Sequence, residues 1–137
     1  MSTTKTLFRI QDEYNQGVYR SDNAIDIYSI MNWQKDGVDR HPLPDEDSLF
    51  VKNAALKGFE GYNFSMKMKS YNYAFDSIKS LRSWFYNDSV LDKLDDNGFM
   101  IFVYEVDEAD IIEGNSQVAF IHERAKEIRT QSLTSLI

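Results

Sequence analysis

Phe99-Met100-Ile101-Phe102-Val103-Tyr104-Glu105-Val106 is a near-continuous apolar run rich in β-branched and aromatic residues. Such a run predicts a strand buried on both faces, hence a sheet with other elements packed above and below it. C-terminal to it, Glu105, Asp107, Glu108, Asp110 and Glu113 form an acidic run without a base among them. Gln117 to Ile121 reads as a further strand, and the stretch from Glu123 onward as a helix with Ala125 and Ile128 on one stripe. N-terminal to the run, Val90 to Leu94 reads as a short helix that follows Asp88 and ends near Gly98. Before it, Ile78, Leu81, Trp84 and Phe85 recur at helical spacing, with Asp76 or Ser77 as the cap and Lys79 and Arg82 facing outward.

Further out, Tyr71, Tyr73 and Phe75 alternate with other residues, as do Tyr62, Phe64, Met66 and Met68, and both patterns are those of strands. Pro44-Asp45-Glu46-Asp47 reads as a helix start, with proline in the first turn and acids at the positive end of the dipole. Leu49, Phe50 and Leu56 are expected to face inward from that helix, and Gly58 to end it. His41-Pro42-Leu43-Pro44 is expected to be extended. Asp22 or Asn23 caps another predicted helix, with Ala24, Ile27, Ile30 or Met31 and Trp33 on one stripe and Gly37 as its stop. Leu7-Phe8-Arg9-Ile10 is the first strand. Strands and helices intersperse without the strict alternation of a doubly wound sheet. The expectation is an α+β fold: one domain over residues 1–137 with a mixed, mainly antiparallel sheet and three to four helices. Ile101, Val103, Phe120, Leu81 and Trp84 are expected to share one core.

With 137 residues, 42% of them hydrophobic and 27% charged, the chain can bury a core without staples. It contains no cysteine, which excludes disulfides, thiolate chemistry and thiolate zinc sites. Met1-Ser2-Thr3-Thr4-Lys5-Thr6 lacks the apolar segment of a signal peptide, and no apolar run is long enough to span a membrane. The expected location is the cytoplasm. The net charge of −7 disfavours direct nucleic-acid binding through phosphates. The charge is uneven. Lys52, Lys57, Lys67, Lys69, Lys79 and Arg82 outnumber Glu60 and Asp76 in the middle of the chain, whereas nine acids meet only Lys93 between Asp88 and Glu113. This pattern fits two solvated surfaces, or an anion-binding pocket beside an acidic face for a basic partner.

No glycine-rich phosphate loop is present, and no serine sits in a nucleophile elbow. His41 with Asp45, Glu46 and Asp47 reads as a helix start or as a mixed metal site. His122 beside Glu123 reads as a surface histidine next to a carboxylate. No metal site is assigned. The acidic run reads as a solvated edge that discourages aggregation, as a surface that meets basic partner residues, or as a metal site.

Arg9 lies on the first strand, Ser77 follows Tyr73-Ala74-Phe75-Asp76 at a helix start, and Gln117 opens a late strand after the loop Glu113-Gly114-Asn115-Ser116. This order resembles small ADP-ribosyltransferase-like domains, which carry a basic residue, a serine or aromatic, and a carboxylate at those places. The resemblance implies Arg9, Ser77 and Gln117 as candidate catalytic residues, NAD as ligand, and Arg9, Tyr73 and Phe75 as its contacts. The glutamine is a departure: it carries no charge and withdraws electrostatic stabilisation from a developing oxocarbenium. The nearest earlier carboxylate is Glu113. The overall make-up, short, acidic and aromatic-rich, resembles small accessory proteins of bacteriophages. That resemblance implies a non-catalytic protein without a cofactor, which binds and inhibits a basic host or defence protein through Glu105, Asp107, Glu108, Asp110 and Glu113. A third reading is an antitoxin or structural subunit that forms a homodimer through its aromatic strands.

Overall fold

The computed structural model of the chain describes residues 3–13, 48–56, 71–86, 88–115 and 117–136. The helix expected over 22–37, the extended segment at His41–Pro44, the start of the next helix at Pro44 and its end at Gly58, and the strand at Tyr62–Met68 lie outside the described residues. The described elements are β1 (Thr4–Gln11), α1 (Ser48–Leu56), β2 (Tyr71–Ala74), α2 (Ile78–Trp84), α3 (Asp88–Asp96), β3 (Met100–Asp107), β4 (Ile111–Glu113), β5 (Val118–Ile121) and β6 (Lys126–Gln131). Short 3-10 turns at Glu108–Asp110, His122–Arg124 and Leu133–Leu136 join or follow the last strands. The fold is α+β, as expected.

Two antiparallel sheets carry it, in the orders β1-β3-β6 and β2-β5-β4. The apolar run at 99–106 is the central strand of the first, with β1 paired along its length from Thr4 opposite Asp107 to Gln11 opposite Met100. Among the described residues, one backbone bridge links the sheets. Phe8 and Phe75 exchange both backbone hydrogen bonds at 2.8 Å, the antiparallel bridge that joins β1 to the end of β2.

Alternation on β1 and β3 sends side chains to two different cores. On one face Ile10, Ile101 and Val103 pack with Leu81, Trp84 and Phe85 of the α2 region, Val90, Leu91 and Leu94 of α3, Phe99 and Leu133. Each fully buried leucine here contributes on the order of 2 kcal/mol. On the other face Leu7, Tyr104 and Val106 pack with Ala74, Ile111, Val118 and Phe120 of the second sheet. Ala54 of α1 covers the outer face of that sheet with Tyr71, Ile112 and Ala119. The layers thus run helices α2 and α3, first sheet, second sheet, α1. Phe120 therefore does not share a core with Ile101, Val103, Leu81 and Trp84: it lies on the far side of the first sheet.

Several local readings are refined. Ser77 is the α2 cap, accepting from Ser80 N at 3.1 Å, and Arg82 ties the end of α2 to the start of α3 through Asp88. Gly98, at φ +86°, closes α3 in the left-handed region that glycine enters without strain. On α1 Ala54 is buried, whereas Leu49 and Leu56 are exposed, which corrects the inward placement expected of those two leucines; the Phe50 side chain lies outside the described residues. The stretch after Glu123 is a 3-10 turn and then strand β6, in place of the expected helix. β6 takes the free edge of β3, and its alternating charges with a bulge opposite Val103 and Tyr104 are how an edge strand avoids stray pairing. Ile111-Ile112 forms the short strand β4 inside the acidic run.

Candidate functional site

The acidic run wraps the end of β3, and its five carboxylates have different fates. Glu105 is exposed on β3, opposite Thr6 of β1 and Lys126 of β6. Asp107 shares its face, as alternation requires, and caps the following 3-10 turn by accepting from Ala109 N at 3.0 Å. Glu108 is exposed. Asp110 is only 6% exposed and lies 3.4 Å from the Arg124 guanidinium. Glu113, half-buried, pairs with Lys5 of β1. That hydrogen bond raises the Lys5 pKa against the opposing effect of burial, with the nearby charges of Glu113, Glu108 and Asp76 adding to it. Bases absent from the segment are thus supplied by β1 and by the turn after β5. Glu105 and Glu108 remain exposed, and Glu108 has no ion pair among the described residues.

Beside this run lies an open groove of about 440 Å³, lined by Lys5, Asn53, Leu56, Glu108, Ile111 and Glu113. Asn53 of α1 fixes one wall by donating from Nδ2 to the Glu113 carbonyl at 2.9 Å. Leu56, 78% exposed, lies one turn further along the same helix.

The three residues of the ADP-ribosyltransferase-like pattern occupy different layers. Arg9, 8% exposed, lies on the β1 face turned to the second sheet. It donates from Nη1 to the Tyr73 carbonyl at 2.6 Å and from Nε to Gln11 Oε1 at 3.0 Å. Ser77 caps α2 in the helix layer on the opposite side. Gln117 is half-buried just before β5. Of the expected ring contacts, Phe75 is spent in the helix-side core against Trp84 and Phe85, at centroid distances of 5.7 and 6.2 Å. This corrects its assignment as a ligand contact. Tyr73 packs at the outer face of the second sheet, and Arg9 meets its backbone oxygen.

What the sequence reading missed is a hydrogen-bonded set between the sheets. His122 continues the Val118, Phe120 alternation beyond β5 and is half-buried, not a surface histidine. Its Nε2 lies 2.8 Å from Tyr104 Oη and its Nδ1 2.7 Å from Asn72 Nδ2. With Asn72 donating, the imidazole carries its proton on Nε2 and donates to Tyr104. Burial, reinforced by the Arg9 charge, lowers the His122 pKa to about 4. Burial raises Tyr104 to about 12, against a hydrogen bond from Gln11. Phe102 stacks on Tyr104 at 6.4 Å, and the Tyr104 and His122 rings meet edge to face at 4.9 Å. Strand parity was the available signal: it places His122 with Phe120.

Among the described residues, no group of three or more His, Asp or Glu side chains is arranged to hold a metal ion. No helix among them is long and apolar enough to cross a membrane. His41 with its neighbouring acids lies outside the described residues.

Taken together, fold and site define a small acidic α+β protein with a groove lined by carboxylates and a part-buried hydrogen-bonded set between two sheets, Tyr104, His122 and Asn72 beside the Arg9 cation. Comparison places it among phage proteins. The family model described as "Bacteriophage T4 Y00F protein" matches residues 1–134, and the chain belongs to that family. It is 33% identical over 91 residues to a protein of Enterobacteria phage T4 described as "Uncharacterized 19.7 kDa protein in motB-dexA intergenic region". That match covers 59% of this chain and 54% of the T4 protein, so the chain spans about half of its relative's length. No solved structure matches.

Proposed function

We propose that this phage protein is a non-catalytic accessory protein that binds a basic host or defence protein through the rim at 105–113 and inhibits it by covering its basic surface. The observation that supports this reading is the split within the acidic run. Asp107, Asp110 and Glu113 serve the fold, whereas Glu105 and Glu108 are left exposed, Glu108 on the lining of a groove. Exposed carboxylates contribute little to folding and steer a basic partner at a distance. Reversing Glu105 and Glu108 to Lys leaves the structural carboxylates untouched. Recovery of one defined host protein from infected-cell lysate by the wild type, and loss of that recovery with the double variant at low salt, is the expected result. Equal recovery by both proteins refutes it.

A second reading rests on the placement of Arg9 between the two sheets, beside Tyr104 and His122. In the ADP-ribosyltransferase-like expectation this cation meets the phosphates of NAD or a related nucleotide, which would have to displace its bonds to the Tyr73 carbonyl and Gln11. Calorimetric titration with millimolar NAD tests it, and the absence of binding removes it.

A further inference from the structure

We propose that the groove beside the acidic rim receives a lysine side chain of the partner protein followed by an aliphatic residue, and that Lys5 holds the lysine's place in the free protein. The inference rests on the rim reading and adds the chemistry of the occupant. Among the described residues, Glu108 and Glu113 face the groove with Lys5 as the one lining cation, so the charge these three bring to it is negative. Lys5 satisfies Glu113 and also feels Glu108. Both members of the pair are part-exposed, with side-chain exposures of 37% and 45%. Such a pair is weakly held and readily exchanged. An incoming ammonium can therefore take over Glu113 or settle on Glu108 without breaking any buried interaction.

The other lining residues define the second half of the occupant. Leu56 presents the most exposed large apolar side chain among the described residues, and Ile111 forms an apolar floor that is itself buried. An aliphatic side chain laid between them removes Leu56 from water, which a purely polar occupant cannot do. Asn53 is already committed to the Glu113 carbonyl, so that wall is set before anything binds, which lowers the ordering cost of association. Lysine suits this site better than arginine. Its single charged head replaces the Lys5 head on one carboxylate, whereas a guanidinium seeks two coplanar acceptors.

Three short acetylated peptides of equal length, built from Lys-Leu, Lys-Ser or Glu-Leu repeats, separate the contributions when titrated into the full chain and followed by amide NMR. The Lys-Leu peptide is expected to shift the Asn53 side-chain amide and the backbone amides of Leu56, Glu108 and Glu113. The Lys-Ser peptide should bind at least several-fold more weakly, and the Glu-Leu peptide should leave these signals unmoved. Lys5→Ala frees Glu113 and is expected to tighten Lys-Leu binding several-fold; Leu56→Ser is expected to weaken it to the level of Lys-Ser. Weaker binding by Lys5→Ala, or equal binding of the Lys-Leu and Lys-Ser peptides, overturns the proposal. If Glu105→Lys with Glu108→Lys abolishes capture of the natural partner while Lys5→Ala and Leu56→Ser leave it unchanged, the rim reading stands and the groove proposal fails. If none of the four changes alters capture, both fall.

Discussion

Tyr104 and His122 carry the sharpest consequences of single residues. The His122 pKa is depressed by burial to about 4, from an ordinary 6.5. The folded state therefore binds this proton less readily than the unfolded chain. The stabilising contribution is full above pH 6.5 and is lost as pH falls from about 6.5 through 4. Tyr104 has the opposite sign: its pKa rises to about 12 from 10, so its contribution is present below pH 10 and is lost as pH climbs towards 12. Urea melts of wild type and His122→Asn across pH 4 to 8 are expected to show the acid-side decline only in the wild type. A parallel decline in both proteins assigns it to other groups. Ser77 offers a second residue-scale test. Its hydroxyl caps α2, so Ser77→Ala is expected to lower stability by about 1 kcal/mol in a chemical melt. The role expected of it from the ADP-ribosyltransferase-like resemblance gives no such reason for a stability loss.

At the scale of elements, legibility followed burial. The run at 99–106 was readable because a central strand between two cores is apolar on both faces, with Glu105 as its one charged residue, and α2 and α3 because their apolar residues recur at helical spacing with Ser77 and Gly98 as punctuation. β6 was misread because an edge strand gains its place from pairing with β3, which leaves no alternation in Lys126 to Gln131. The carboxylates of the acidic run were visible, but their separate duties were not, because Lys5 and Arg124 reach them from distant parts of the chain. Two expected outcomes follow from these elements. Trp84 is 9% exposed in the helix-side core, so Trp84→Ala is expected to cost about 3–5 kcal/mol in a denaturant melt. Phe102, half-buried at the edge of the other core, is expected to cost about half as much or less on the same measure. For the carboxylates, Asp110→Ala empties a buried position and removes the contact with Arg124, whose own guanidinium is largely exposed and stays solvated, at about 1 kcal/mol. Glu108→Ala stays within about 0.5 kcal/mol, as surface changes do. Comparable losses at Asp110 and Glu108 in thermal melts contradict this division.

Across the whole molecule, the net charge of −7 and the exposed rim give a negative field, which would reach a basic partner of the kind proposed before contact. The association rate with that partner, measured by stopped flow, is expected to fall steeply between 50 and 300 mM salt, as the screening length shortens from roughly 14 Å towards 6 Å. The dissociation rate is expected to change much less. A salt-independent association rate contradicts the assignment of the rim.

The pairing of β1 with β3 sets an order of events during synthesis. Thr4 meets Asp107 and Gln11 meets Met100, so β1, once synthesised, waits for about 90 further residues before its partner arrives. Leu7 and Ile10, fully or almost fully buried in the finished protein, travel exposed until then. Folding dominated by such distant contacts is slow, and its nascent intermediates are open to chaperones and proteases. A nascent chain arrested before Met100 is therefore expected to be cleaved within Thr4–Gln11 by a protease to which the released protein is resistant there.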